Sequence, residues 1–594
     1  MAKLTQAGRV GELKTPLGDD VLVLIKFEGV EGLGELFEFY VDALSEKENI
    51  DFDEALGQSC TLKLKTYGGK TRIYDGILTQ AQWIGKTEDY FHYRLVLRPW
   101  AWLLAHKADC RIFLEQDVKD IIRDVFIKAG FSSSRDFEFR TTETYEKIPY
   151  CVQYRETDLA FVTRLMEEYG IYYFFEHDEQ KHNMILADSG ASHLAVKDLS
   201  AVPFRPVTGQ YTVLKQHLVD WISERRFRTG KVQYNDYDYL NPKKNLLSPK
   251  EASENYAHSK FEVYDYPGKY DDQDKGKKFA QYRLEAEQAL DHRRFIAGDA
   301  PSLYPGGLVT VEEHPTSEEN RNYLIVRAAH RFSSQHYRSN AGAGEQQVYI
   351  GNYEFLPAER PFRMLPLTPK PRIHGVQTAV VVGKKGSEEI NTDEHGHIWV
   401  QFYWDREPKI SCPVRVAHAW SGKQWGTQFI PRVGMEAVVE FLEGDPDRPL
   451  VTGCVYNGTN KVPYDLPGQK TQSGTKSDSS QGHDGYNEFM FEDKKGSEFI
   501  RMHAEKDHLV TIKADQTGTV GGDQSWTITG DRNWKIQQGD DNMDVKLGDQ
   551  NITVDFGSQN VSAMQSINLS VCMGMSTVVI TPGSVSIMSP VINL

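Results

Sequence analysis

VTIKADQTGTVGGDQSWTITGDRNWKIQQGDDNMDVKLGDQNITVDFG, residues 510–557, is a repeat. A turn signal, usually Gly-Asp, returns every eight or nine residues, at Asp515, Asp523, Asp531, Asp540 and Asp549. Between the turns apolar residues alternate: Trp526 and Ile528; Trp534 and Ile536; Met543, Val545 and Leu547; Ile552, Val554 and Phe556. Alternation marks a strand with one buried face, and Gly-Asp pairs supply the positive-φ chemistry of a sharp bend. Short strands at a fixed period predict a β-solenoid rod, whose units bury their apolar face only against neighbours. The period alone does not separate a one-chain triangular solenoid from three intertwined chains, because both bend about every eight residues.

Upstream, the chain is long enough for several domains and reads as mainly β with a few helices. VLVLIKFEG (21–29), LFEFYVDAL (36–44), CTLKLKTYGGKTRIYDGIL (60–78) and DYFHYRLVLRPW (89–100) are strand patterns. Val118, Ile121, Ile122, Val125, Phe126 and Ala129 share one helical face, closed by Gly130. A second helix starts after Thr157 as N-cap and ends at Gly170, and a charged third is expected between Lys277 and Phe295. Residues 171–189 read as a hairpin turning at Asp178–Lys181, which makes its flanking His177 and His182 solvated turn residues. PAERPFRMLPLTPKP (357–371) is an extended linker and the first boundary. Residues 371–467, with short strands broken by Gly, Pro and Asp, predict a small OB-fold-like barrel. The Gly/Ser-rich 468–485 is a flexible connector within a neck of residues 468–508, and 509–594 is the needle; residues 1–370 form the first domain.

Composition narrows the function. The formal net charge of −16 opposes phosphate-backbone binding, and the barrel strands lack a basic-aromatic groove, so nucleic acid is not an expected partner. No apolar stretch approaches eighteen residues and the N-terminus lacks a signal-peptide pattern, which places the chain in the cytosol when made. The six cysteines are scattered without a C-x-x-C pair and read as free or buried thiols. His395 and His397 in DEHGHIW form a His-x-His pair, but one at a barrel turn; the repeated aspartates lack the glycines of a calcium-binding roll. GKKGS (383–387) is not a P-loop, Glu388–Glu389 are neighbouring exposed carboxylates, and no H-E-x-x-H or G-x-S-x-G occurs. No catalytic, cofactor-binding or metal residue is assigned, and the chain is expected not to be an enzyme.

Several longer stretches carry a family resemblance: QTAVVVG (377–383), DEHGHIWVQFYWDR (393–406), GTQFIPRVGMEAVVEFLEGDPDRPLVTGCVYN (426–457) and YNEFMFEDKKGSEFIRMHAEKD (486–507). YRETDLAFVTRLMEEYGIYYFF (154–175) and VYDYPGKY (263–270) add to it. With the order of β-rich hub, proline-rich joint, barrel and repeat rod, the chain resembles the VgrG family. These are spike proteins of type VI secretion systems, similar to the fused hub and needle of contractile phage tails. The resemblance implies a phage tail hub-like domain of two barrel-like halves and a C-terminal intertwined triple-stranded β-helix in a homotrimer. Eighty-six residues from Leu509 would then climb roughly 50 Å, against about a third of that for one chain.

The resemblance also implies a non-enzymatic spike that caps a tube of Hcp-type rings, punctures a target membrane mechanically and leaves the cell through the secretion apparatus. Its end, SVSIMSPVINL, should bind a PAAR-repeat tip protein with effectors or adaptors, through Val585, Ile587, Ser589, Pro590, Val591, Ile592, Asn593 and Leu594. No His-x-His lies near the tip, so the iron site of some phage spikes is not carried over. The alternatives are a phage or tailocin needle with the same physics, and a β-solenoid cell-wall or glycan hydrolase, which needs two facing carboxylates in a groove.

Overall fold

The alternating stretches become the strands Val23–Gly32 and Glu35–Ser45, an antiparallel pair with Phe27 opposite Val41. Their turn requires glycine: Gly34 has φ +71°, and a Cβ there would lie 2.4 Å from Met364 Sδ. The computed structural model describes residues 4–591 except 88, 207–214, 335–347, 384–387, 408–409, 483 and 572–574. Strands take 39% of the residues and helices 10%, so the chain is mainly β. It divides into two units between Asp507 and His508.

In the first unit, Ser59–Lys65 and Thr71–Thr87 form the expected hairpin around Gly68 and Gly69, and Tyr90–Arg98 pairs beside them. Val23–Gly32 also pairs with Asn322–Ser333, from Lys26 opposite Ser333 to Gly32 opposite Arg327. That seam joins a second half, in which Val348–Pro357, Arg294–Asp299 and His217–Ser223 extend one sheet to thirteen strands. The two halves keep separate cores, one around Phe27, Phe39, Tyr74 and Leu95, the other around Ile296, Val309, Tyr323 and Phe355.

Helix α1 (Val118–Lys128) is capped by Asp117, whose carboxylate accepts from the Lys119 and Asp120 amides at 2.8 and 3.0 Å. Helix α2 (Asp158–Glu168) has the expected Thr157 cap, bonded to Ala160 N at 3.1 Å. Helix α3 differs from expectation: it runs Gln273–Gln288, capped by Asp272, and stops before Phe295. Phe295 and Ile296 instead pair with Glu354 and Tyr353 in the sheet, where their alternation buries Ile296.

The hairpin Tyr172–Asp178/Lys181–Ala187 turns where expected, but His177 and His182 are buried, not solvated. The hairpin packs on the first half, so its turn-proximal side chains point into protein. His182 Nδ1 meets Asp75 Oδ1 at 2.9 Å, and its Nε2 accepts the Trp100 amide at 2.8 Å. His177 and His330 both face the buried Glu31, at 3.3 and 2.9 Å, with Arg72 at 3.2 Å. Burial alone would raise the Glu31 pKa, yet hydrogen bonds from the two histidines and the Arg72 charge hold it well below the usual carboxylate range. Burial in turn pushes both imidazoles down, so the cluster holds one ion pair and two neutral rings.

The barrel closes. Its sheet runs Trp399–Phe402, Gln377–Val382, Glu436–Phe441, Pro449–Val455 and Arg415–Val416, and a bridge between Ile398 and Val414 ties the two ends. Hub residues Ile112, Tyr150 and Val152 belong to the barrel's own core with Val381, Val400 and Val439. The proline-rich stretch is extended as expected, but packed rather than free. Arg363 bonds Glu285 at 2.8 Å, Thr368 N bonds Glu167 at 2.9 Å, and the half-buried Lys370 pairs with Asp445 at 2.6 Å and with Asp447. Asp447 also accepts Val152 N at 2.7 Å. The connector is corrected too: Gln472–Lys476 is a strand paired with Glu488–Glu492. Cys60 and Cys412 have no disulfide partner, and burial pushes both thiols up to about 12, which keeps them protonated.

Burial pushes the His193 imidazole down to about 4, against the hydrogen bond of its Nδ1 with Gly306 O. A depressed folded-state pKa means that the unfolded chain takes up the proton first. Stability present above about pH 6.5 is therefore lost as pH falls toward 4, by roughly 3 kcal/mol from this residue. Denaturant midpoints of the hub between pH 7.5 and 4.5 should fall accordingly, and the slope should flatten in His193→Gln; equal slopes would contradict the assignment.

Candidate functional site: the repeat segment and terminal sheet

The second unit starts with the repeats, and their backbone follows one rule. Straight segments of six residues, 515–520, 523–528, 531–536, 540–545, 549–554 and 558–563, alternate with short bends. Asp515, Asp523, Asp531, Asp540 and Asp549 each open a segment, so the aspartates mark the residue leaving the bend. The sixth position is the β-branched Val520, Ile528, Ile536, Val545 or Val554 in the first five segments and Ala563 in the last. The fourth is Trp526, Trp534, Met543 and Ile552 in the central four segments. Fourth and sixth positions of a strand share a face, so each of the central four segments carries an apolar pair on one side.

The varying period lies wholly in the bends. The bends 521–522 and 529–530 have two residues, while 537–539, 546–548 and 555–557 have three. Each three-residue bend ends in a left-handed glycine: Gly539 at φ +105°, Gly548 at +104° and Gly557 at +130°. Gly522 and Gly530, in the two-residue bends, lie outside the left-handed range. The positive-φ expectation thus holds for the longer bends only, where the extra residue has to be absorbed without lengthening the strand.

Among the described residues 508–566 no strand pairs with another in the same chain, and every residue is exposed. Trp526 and Trp534 are 76% and 75% exposed, and Ile528, Ile536, Val545 and Val554 are each 47% exposed. A one-chain solenoid pairs each strand with the next coil of the same chain and buries these side chains. That alternative is ruled out for the described repeats. A contiguous apolar row of this length in water needs a covering partner.

The repeats end in a three-stranded antiparallel sheet, Ile567–Val571, Ser576–Thr581 and Ser584–Met588. The register sets Ile567, Ile580 and Val585 in one row and Leu569, Val578 and Ile587 in the next, all on one face. Asn568, Ser586, Ser570 and Thr577 lie on the other face beside Val579 and Met588, so that face is mixed. Of the expected tip residues, Val585 and Ile587 lie on the apolar face and are exposed. Ser589 is half-buried, its hydroxyl 3.0 Å from that of Ser576, and Pro590 and Val591 are exposed. Ile592, Asn593 and Leu594 lie outside the described residues.

The histidine pair of the barrel has a structural explanation. Asp393 accepts from the His395 and His397 amides at 3.0 Å and contacts His397 Nδ1 at 2.7 Å. His397 Nε2 meets the Tyr239 hydroxyl at 3.1 Å, so both ring nitrogens are engaged within the protein. Among the described residues, three ligand-type atoms come together at Glu254, Asp291 and His292 in the hub. Arg225 pairs with both carboxylates and Arg360 with Glu254, so the group is an ion-pair network. No helix of the described residues is long and apolar enough to cross a membrane.

Three family models match in chain order. They are the phage tail baseplate hub over residues 30–336, the type VI secretion system/phage-baseplate injector OB domain over 378–456, and the bacteriophage T4 gp5 C-terminal trimerisation domain over 473–580. The type VI secretion system spike protein VgrG1a of Pseudomonas aeruginosa is 41% identical over 513 residues, covering 85% of this chain and 79% of that protein. Among solved structures, the E. coli c3393 protein, a type VI secretion component similar to phage T4 tail proteins gp27 and gp5, aligns with TM-score 0.54 at 18% identity. That alignment covers 75% of this chain and all of the other. A Francisella PdpA–VgrG complex aligns with TM-score 0.53 at 12% identity, over 81% of this chain and 76% of that one.

The bend rule can be tested at two glycines. Gly548→Ala puts a Cβ on a φ of +104° and should destabilise the repeat segment by about 1 kcal/mol per chain. Gly530→Ala, at a bend outside the left-handed range, should leave the thermal midpoint unchanged or raise it. Equal losses at both sites in a calorimetric scan would contradict the two-bend description.

Proposed function

The chain belongs to the VgrG family of type VI secretion spike proteins, and from that premise we propose that it works as a homotrimer whose three repeat segments wind into one β-helical needle. The observation that carries this reading is the exposed apolar pair in segment after segment, without a backbone partner in its own chain. Wound together, three copies would turn each row inward, ring upon ring, and pair the backbone of each strand with strands of the other two chains. The match of residues 473–580 to a trimerisation domain supports the number three.

The role we assign is mechanical. The hub seats on a tube of Hcp-type rings, and the C-terminal end carries a PAAR-repeat tip protein and effectors. Contraction of a surrounding sheath drives the needle through a target membrane. A closed β-ladder suits that load, because many hydrogen bonds must break together before the shaft shears. The hub and barrel meet through a common core and the Lys370–Asp445/Asp447 clasp, a junction that transmits force without a hinge. At the tip, the exposed Pro590 and Val591 with the apolar face bearing Val585 and Ile587 are the docking candidates, continuing into Ile592, Asn593 and Leu594. That a VgrG protein has been solved in complex with PdpA supports a carrying role. We assign no catalysis to this chain and, by family, secretion through the apparatus after cytoplasmic assembly.

Light scattering at micromolar concentration tests the assembly. The expected mass is three chains of 67.7 kDa each. A stable single-chain mass at that concentration would overturn the needle.

A further inference from the structure

The small sheet just before the repeats has inverted polarity. Its strands are Gln472–Lys476, Glu488–Glu492 and Phe499–His503, all antiparallel. Pairing sets Phe489 opposite Met502 and Phe491 opposite Ile500 on one face, with Glu488, Met490 and Glu492 on the other. A sheet at the surface of a single chain ordinarily turns its apolar face inward. Here the face packed against the chain holds Glu488, Met490 and Glu492, all buried. The outward face holds Phe489 and Phe491, and Ile500 and Met502 at 64% and 65% exposure.

The inward carboxylates are all partnered. Glu488 pairs with Arg501 at 2.6 Å and accepts from the Tyr464 hydroxyl at 3.2 Å, and Glu492 accepts the Lys494 amide at 2.8 Å. Turning the sheet over would strip Glu488 of the Tyr464 hydroxyl, which lies outside the sheet, whereas Arg501 and Lys494 belong to the same hairpin and would turn with it. The Phe489 and Phe491 rings already contact edge to face, centroids 4.9 Å apart and 80° between planes, so the outward face is organised before any partner arrives.

We propose that this face closes against the same face of two further copies and thereby sets the register of the three chains. The inference rests on the homotrimeric reading. Its physical motive is the likeness of the repeats: with six-residue segments and a β-branched sixth position in five of the six, a chain displaced by one whole repeat keeps most of its contacts. Only the end layers are lost, so the repeats specify register weakly. The neck sheet occurs once per chain and ends at His503, just ahead of the first repeat. Three identical apolar faces meeting ahead of the repeats in chain order allow one alignment only, and closure around a threefold axis leaves none of them open. A second copy is the fitting occupant because the face adjoins, along the chain, the segment on which copies already have to meet.

The test uses the full chain. Met502→Cys, under mild oxidation and against wild type as background for the native thiols, should give an interchain disulfide-linked dimer on a non-reducing gel. Ile222→Cys, on a hub strand at 63% exposure, should not. Separately, Phe491→Thr/Ile500→Thr should lower recovery of the three-chain species after denaturation several-fold, with larger staggered assemblies in its place. Cross-linking of Met502→Cys no stronger than that of Ile222→Cys, or wild-type recovery of the double variant, overturns the register role while wild type still weighs three chains. A single-chain mass for wild type overturns the trimer itself.

Discussion

Backbone groups and apolar side chains that find no partner in their own chain are the constraint behind this structure. Between Asp515 and Val554, segment after segment presents a β-branched residue at its sixth position and a bare ladder edge. In water such an edge is a pairing template, and a protein keeps one only when pairing is its purpose. In the proposed homotrimer, the rest of the chain serves to bring that pairing about between copies. The bends hold the segments at constant length, absorbing each extra residue in a left-handed glycine. The strands of different repeats therefore remain interchangeable in geometry while the sequence period varies.

Upstream, the hub solves the opposite problem: it satisfies its polar groups internally. Glu31, Arg72, His177 and His330 form a closed set, and Asp75 with His182 forms another, both beneath aromatic side chains such as Phe37 and Phe39. Buried charge of this kind contributes less to net stability than to a unique arrangement of the elements around it. The barrel is fixed to the hub by common core residues and by the GDPD loop, whose Asp445 and Asp447 both hold Lys370. Rigidity upstream and incompleteness downstream divide the labour of one molecule.

Much of this was legible from side-chain pattern and much was not, for definite reasons. Local signals read well: the Thr157 cap, the stripe of α1, the turn at Asp178–Lys181 and the apolar alternation between the repeat turns each depend on neighbours in sequence. The cap of α3 was hidden because Asp271, Asp272 and Asp274 offer several candidate starts. His177 and His182 were misread because their hairpin packs on residues more than seventy positions away, which no local pattern reports. The strand Gln472–Lys476 has a loop's composition and is held by its partner Glu488–Glu492. The proline-rich stretch read correctly as extended, but its packing depends on Glu167, Glu285 and Asp445, brought in by the fold. At the needle end the apolar alternation was visible, whereas the meander that puts Val585 and Ile587 on one face of a sheet was not. The period also left chain number open; the absence of intrachain pairing among the described repeats removed the one-chain solution.

The claim that the repeats complete one another between chains is tested most directly by hydrogen exchange of the backbone amides of residues 515–563. Each chain alone gives those amides no ladder partner, so protection there reports pairing with other copies. The account predicts slow exchange across the whole stretch, comparable to the hub strands Val23–Gly32 and Asn322–Ser333. Exchange at the rate of an unstructured chain, in a sample whose hub is protected, would contradict it.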